Sequence, residues 1–494
     1  MKAPATYAGG AVVLVKPLFW PKPTRTTGAM PYSKEKLVAD AKTVMSECDR
    51  IGALLKLGDM RSISREDHMS SLPHPNGQGD MLCGIRAASI ITEFAKKAAE
   101  RGGISKRVSL ASVRKELAKL FVLRFFKERR EIDIRQIDRL FSSTVKASQR
   151  LLNDITHFIP CHLMSVKDPD CFTLGPVTFH NKLSMGRRIL NQSRSGIKCS
   201  KDTAQGRHER SLLVRALRYY RDFRWVAEVS IPRCDGPTSN RTAEEAVTAS
   251  LNCLHLLLGV TNTSRMQLGG LNIRGDSRAK LTIGDDGLLQ PSLSFSYLGE
   301  VIFEDGWSEM LLEPRVLYWK SLFDVVLEVT IDPDLERPLS RRFIDAAQWF
   351  GEATRDNSYA TKTVKYVTAL ERLLMTDEKD DISLLVSQRV AALCFSSEVR
   401  RDEWVSKARD AYDLRSRLVH GSISPASQDL EEGAMNAARV AEMALTRAIE
   451  AFGVEDLRHG RLRSGQLAKW FGEYMKWADK EEEAMLAHLA SRSS

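Results

Sequence analysis

Apolar positions recur every three or four residues from Lys34 to Leu57. Leu37, Ala41, Val44, Cys48, Ile51 and Leu55 share one stripe, which predicts a helix. Residues 1–32 ahead of it contain Pro4, Pro17, Pro21, Pro23 and Pro31, which block regular helix, and read as an irregular lead-in. A loop is expected across Ser71–Asp80, on Pro73, Pro75, Gly77 and Gly79. Helical spacing resumes across 84–101 and 109–153, the second broken near Glu131.

From about 157 the pattern shortens. Phe158–Met164, Phe172–Phe179, Trp225–Ile231, Lys280–Ile283, Leu293–Phe303 and Val325–Ile331 are short runs rich in β-formers and read as strands. A basic helix near Arg207–Phe223 and an apolar one near Ala243–Leu258 interrupt them. His255, set inside Leu-Asn-Cys-Leu-His-Leu-Leu-Leu, reads as a core histidine with its hydrogen bonds satisfied. Asp285-Asp286-Gly287 reads as a turn. Gly269, Gly270 and Gly275 form no phosphate loop, because the chain contains no GxxxxGK[ST].

Beyond Pro333 and Pro338 the period is helical throughout, with helices expected near 340–354, 359–375, 382–396, 400–420 and 427–452. Short connections between such helices favour an antiparallel bundle. A last amphipathic helix carries Trp470, Phe471, Tyr474 and Trp477. The expected fold is thus α+β overall. A mainly helical basic region spans 1–156, an α+β domain 157–334, an all-α antiparallel bundle 335–453 and the amphipathic helix 454–494.

With 494 residues, 43% hydrophobic and 28% charged, the chain has the composition of a globular protein of two or three domains. No apolar run reaches the roughly 18–20 residues a membrane span needs. The Ala8–Val15 run ends at Lys16-Pro17 without a small-residue cleavage site, which argues against a signal peptide. A cytoplasmic location away from membranes is expected. The eight cysteines include no CxxC pair and read as reduced, mostly buried residues. The cluster His157, Cys161, His162, Cys171 and His180 matches no common zinc spacing, so neither metal nor cofactor is expected.

Net charge is +10 and uneven: residues 101–200 hold 20 Lys and Arg against 8 Asp and Glu. Such asymmetry suits a polyanion such as RNA, although a solvated helical face would look the same. Within it, Arg124, Lys127, Arg129 and Arg130 interleave with Phe125 and Phe126 as candidate RNA contacts, the two phenylalanines reading as core.

One segment carries chemistry: Tyr412-Asp-Leu-Arg415-Ser416-Arg417-Leu-Val-His420-Gly421. An Arg followed four to six residues later by His is weak evidence alone, since Arg61…His68 and Arg150…His157 satisfy it too. The wider context is more specific. This segment, with Ala369-Leu-Glu371-Arg-Leu-Leu374 and Gln388-Arg389-Val-Ala391-Ala-Leu393 upstream, resembles the Apea-like branch of the HEPN proteins. The resemblance covers 335–453, about a quarter of the chain. It implies a helical bundle that cleaves RNA, with Arg415 and His420 catalytic and Ser416, Arg417 and Tyr412 in support.

The chemistry suits those residue types. Attack by a 2′-hydroxyl needs a proton acceptor, a proton donor for the leaving oxygen and a cation on the phosphate. Histidine moves protons near neutrality, and arginine presents a planar fork to phosphate oxygens. No metal is required. Five residues of ideal helix turn roughly 500°, so Arg415 and His420 stand about 140° apart unless the helix bends. Gly421 is a natural C-cap, which places His420 at a fraying or bent end. In the family, two motifs meet through dimerisation. Glu371 and Arg389 are expected as a buried structural pair.

The reading is a metal-independent RNA endonuclease, with RNA and a second copy of the chain as partners. By resemblance it is the effector of a bacterial anti-phage or toxin-type system with a phage-derived or nucleotide trigger. The alternative is a non-catalytic bundle that binds RNA or a nucleotide, or dimerises, in service of the N-terminal region.

Overall fold

The computed structural model describes residues 33–56, 70–194, 203–269, 275–283, 289–297, 306–376, 378, 381–396, 399–427, 430–455, 457, 458, 462 and 464–493. Several expectations lie outside them: the lead-in with its Ala8–Val15 run, Arg61…His68, Cys199, Gly270, the turn at Asp285-Asp286-Gly287, and 298–303 of one expected strand. The chain divides into two compact units, Met1–Gly102 with Val113–Lys146 and Gly103–Ser112 with Ala147–Ser494. It is mostly helical with antiparallel sheets, an α+β protein. No helix among the described residues is long and apolar enough to cross a membrane.

The first unit begins with α1 (Lys34–Lys56), whose stripe Leu37, Ala41, Val44, Cys48 and Ile51 is buried as its spacing predicts. The expected loop at Ser71–Asp80 is instead the turn of a hairpin, Ser70–Pro73 (β1) against Asp80–Cys83 (β2). Gly77 and Gly79 adopt positive φ there, a conformation glycine tolerates without a Cβ clash. After α2 (Ile85–Arg101), the stretch expected as helix over 109–153 is broken around Glu131 as expected, and with a π-helical turn before the break it forms three pieces. They are α3 (Leu110–Phe121), a π-helical turn Val122–Lys127 and α4 (Ile134–Gln149). Phe125 is buried against Phe121 at 4.8 Å between ring centroids, and Phe126 is half-buried.

The second unit adds β3 (Asn153–His162), β4 (Cys171–Leu174), β5 (Val177–Asn181), α5 (Lys182–Arg194), α6 (Ala204–Tyr220), β6 (Trp225–Cys234), α7 (Gly236–Leu258), a single turn α8 (Val260–Thr263) and β7 (Gln267–Leu268). The sheet runs β4-β5-β6-β3-β7, antiparallel throughout. The single strand expected over Phe172–Phe179 is a hairpin, because Gly175 at φ +57 turns the chain with Pro176. Trp225, Ala227, Val229 and Ile231 alternate onto one buried face, with α7 packed against the sheet. A separate ladder pairs β8 (Gly275–Ile283) with β9 (Leu289–Tyr297).

After the turn α9 (Trp307–Met310) comes α10 (Pro314–Ile331). Its second half is the run Val325–Ile331 expected as a strand. That expectation fails because a β-branched apolar run also suits a helix apolar on more than one side. Leu327 sits against Gly175 of the hairpin, Trp319 Nε1 donates to Glu450 at 2.6 Å, and Phe323, Val326, Leu327 and Val329 are buried.

The remaining helices are α11 (Pro338–Arg355), α12 (Tyr359–Leu374), α13 (Ile382–Cys394), α14 (Arg401–Val419), α15 (Leu430–Val454) and α16 (Ser464–Ser493). Arg342 near the start of α11 donates to carbonyls at the end of α12, while Thr354 meets Tyr366 at 3.3 Å, so this pair is antiparallel. Asn436 of α15 reaches the carbonyl of Lys407 and Gly433 lies against Leu414, which sets α14 and α15 antiparallel too. One hydrophobic core runs continuously from the sheet through α7 and α10 into these helices.

Candidate active site

Ser358 caps α12 by accepting from the amide of Thr361, and Tyr366, Val367, Leu370, Leu373 and Leu374 face its core side. Glu371 leaves the same helix toward α14. In α14, Trp404, Ala408, Ala411 and Leu418 are buried at helical spacing, which carries Tyr412 and Arg415 to the edge that meets α12. Tyr412 Oη donates to Glu371 Oε1 at 2.9 Å. The Arg415 guanidinium lies 3.8 Å from Glu371 Oε2 and 5.7 Å from the centre of the Tyr412 ring. Arg415 Nε is buried without a hydrogen-bond partner, while its side chain as a whole stays 26% exposed. Burial first, then the Glu371 carboxylate, pushes the Tyr412 phenol up to about 12, so it remains a donor at neutral pH.

Glu371 and Arg389 are not the pair expected. Arg389 instead donates to the carbonyl of Leu374 at 2.6 Å and to Glu378, and its guanidinium stacks over Phe471. Burial works to raise the Glu378 carboxyl. The hydrogen bonds from Arg389 and Thr376 outweigh it and bring the group down to about 2. Arg389 thus closes the C-terminal end of α12, leaving Glu371 to Tyr412 and Arg415. The pairing was missed because Glu378 lies past the helix end, outside any periodic pattern.

The end of α14 is capped, not frayed. His420 still donates its amide to the Ser416 carbonyl at 2.9 Å. Gly421 has φ +77, Ser422 N bonds the Arg417 carbonyl at 2.8 Å and Gly421 N that of Leu418 at 3.4 Å. These are the two bonds of a Schellman motif, and Ile423 packs with Leu418, Leu414, Leu430 and Ala360 beneath it. The helix is therefore regular through Val419 with His420 as its C-cap, and ideal helical geometry sends the side chains of Arg415 and His420 from the axis in directions about 140° apart. His420 and Arg417 are exposed and Ser416 is half-buried. No side-chain hydrogen bond or ion pair joins any of the three to another of the described residues.

The candidate RNA contacts Arg124, Lys127, Arg129 and Arg130 lie in and just after the π-helical turn. Arg124 is half-buried and donates to the Gln136 carbonyl at 2.9 Å and to Ser143. Lys127, Arg129 and Arg130 are exposed, Arg129 with φ +54 and Arg130 beside Glu128 at 3.2 Å.

The His/Cys cluster of the sheet takes separate partners. His157 meets Ser239 at 2.7 Å, His162 packs on Phe223, and His180 lies between Ser184 and Glu228. Among the described residues no three His, Cys, Asp or Glu side chains converge as metal ligands. His255 is buried in the core as expected but only half satisfied. Arg355 donates to its Nε2 at 3.1 Å while Nδ1 has no partner. Burial, then the adjacent Arg355, lowers this imidazole to about 3 and keeps it neutral. No family model, curated protein or solved structure matches the chain.

Proposed function

We propose that the chain is a metal-independent RNA endonuclease of the HEPN type, with its active segment at Arg415–His420. The observation that carries this reading is the accessibility of both groups near a capped helix end. His420 is exposed on a capped terminus, and Arg415 keeps a quarter of its side chain exposed although Glu371 and Tyr412 hold it.

In the proposed reaction the 2′-oxygen forms a bond to phosphorus as the bond from phosphorus to the 5′-oxygen breaks. One group accepts the 2′-hydroxyl proton and another supplies a proton to the leaving oxygen, and His420 is the residue for such transfers. Arg415 stabilises the charge that builds on the phosphate oxygens. The products are a 2′,3′-cyclic phosphate and a 5′-hydroxyl. RNA is the substrate class, and by the family resemblance the setting is bacterial defence.

A second reading has one observation in its favour. Glu371 already offsets the charge of Arg415, which suits a bundle that binds RNA or a nucleotide, or dimerises, without cutting. Incubating the purified chain with total RNA in EDTA separates the two. Cleavage leaving 5′-hydroxyl ends, abolished in His420→Ala and in Arg415→Ala while the melting temperature stays within a few degrees, is the expected result. Full cleavage by both variants would falsify the assignment.

A further inference from the structure

We infer that the groove between α7 and α11 is a binding site for a nucleoside monophosphate, separate from the Arg415–His420 segment. The groove encloses about 570 Å³, within the 300–1,000 Å³ typical of small-molecule sites. Its walls are residues 241–252 of α7 and 341–348 of α11, with contributions from β7 and the end of α10.

Asn252 is the most C-terminal α7 residue that lines the groove. This side chain is 1% exposed, and its Oδ1 accepts from Arg355 at 2.9 Å. Its Nδ2 has no partner among the described residues, although the residue lines the cavity. The amide nitrogen is open to the cavity, so an acceptor atom of a ligand in the groove could meet it directly. Gly351 opposite leaves the amide its room, since a Cβ there would stand 1.8 Å from Asn252 Oδ1.

From that contact both walls run back toward their N-termini, and the charge on them is ordered. Glu244 and Glu245 of α7 come midway, Glu244 accepting from Asn240 at 3.1 Å, beside Asp345 of α11, which is ion-paired with Arg372. Arg241 and Arg341 come last, 11 residues from Asn252 and 10 from Gly351, or about 15 Å along each helix at 1.5 Å per residue. Arg341 is exposed and donates to the Val329 carbonyl at 3.0 Å. No carboxylate lies within ion-pair distance of it among the described residues. Arg241 has only a loose neighbour, Glu245 at 3.8 Å.

The matching ligand is elongated. It carries an anion at one end for the arginine fork, hydroxyl donors in the middle for the carboxylates, and a hydrogen-bond acceptor on a flat group at the other end for Asn252. Phosphate, ribose diol and base present these groups in this order. A bare anion would leave the carboxylates and Asn252 unused. An uncharged nucleoside would leave the arginines unused.

Isothermal titration of the full chain with the four 5′-monophosphates, their nucleosides and inorganic phosphate tests this. At least one monophosphate is expected to bind with Kd below about 1 mM, its nucleoside at least about tenfold more weakly and phosphate not measurably. Arg341→Glu and Arg241→Glu, both on exposed side chains, should each weaken the monophosphate about tenfold or more. The idea is overturned if no monophosphate binds at that concentration, if phosphate alone binds as well, or if neither reversal changes the affinity. The titration involves no RNA cleavage, so its failure leaves the nuclease proposal standing and the reverse also holds.

Discussion

Glu371 is the residue that joins the candidate site together, holding Tyr412 by a hydrogen bond and Arg415 by charge. Replacing it with Gln keeps an acceptor for the Tyr412 hydroxyl and removes the charge facing Arg415. If the carboxylate sets the guanidinium's direction, Glu371→Gln should slow single-turnover cleavage at saturating RNA about tenfold, as loss of a positioning contact does. Tyr412→Phe should cost about 1 kcal/mol of stability by denaturant titration, the worth of one hydrogen bond. A Glu371→Gln enzyme cutting at the wild-type rate would leave the residue a purely structural part. Arg415, Ser416, Arg417, His420 and Tyr412 were legible in the sequence because they lie within one helical segment. The role of Glu371 was not. It depends on the rotation of α12 against α14 across 41 residues of chain, which no local pattern encodes. Asn252 was hidden likewise, since the groove it lines exists only once α7 and α11 pack.

The C-terminal end of α14 shows how an element fixes the position of a site residue. Gly421 at φ +77 allows the Schellman bonds from Gly421 and Ser422 that fasten the helix end under His420. Nothing lies within 4 Å of a Cβ built at Gly421, so an alanine there is penalised by backbone conformation alone. Gly421→Ala should cost about 1 kcal/mol in denaturant unfolding. The same substitution should also lower RNA cleavage by shifting His420. An unchanged midpoint would mean the last turn contributes little to folding. The helices of the bundle other than α13 were readable to within a few residues because one face of each is apolar and the other charged. Val325–Ile331 was misread because a helix apolar on more than one side loses that contrast. The hairpins at Gly175 and at 70–83 were missed for another reason. Their strands are only four or five residues long, too short for alternation to separate them from a loop or from one longer strand.

For the molecule as a whole, the regularity of α14 sharpens the question of assembly. Concerted cleavage needs one proton acceptor and one donor, on opposite sides of the phosphorus. A single copy offers one His420, which ideal helical geometry directs about 140° away from Arg415, with no second histidine in the Arg415–His420 segment. Two copies related by a twofold axis would bring two histidines and two arginines into one cleft, the pairing that a self-complementary interface produces. The exposed side chains of Arg417, Val419 and His420 leave this end of the helix open to such a neighbour. Doubling the positive charge there would also favour a phosphate. We therefore predict a homodimer through the helical bundle at micromolar concentration, detectable by light scattering with and without RNA. Mixing His420→Ala with Arg415→Ala chains adds a second reading, because a composite site predicts partial recovery of activity in the mixed dimer. A strictly monomeric protein that cuts RNA at its full rate would rule the composite site out, and a bent conformation of the α14 end in solution would then have to align the pair within one chain.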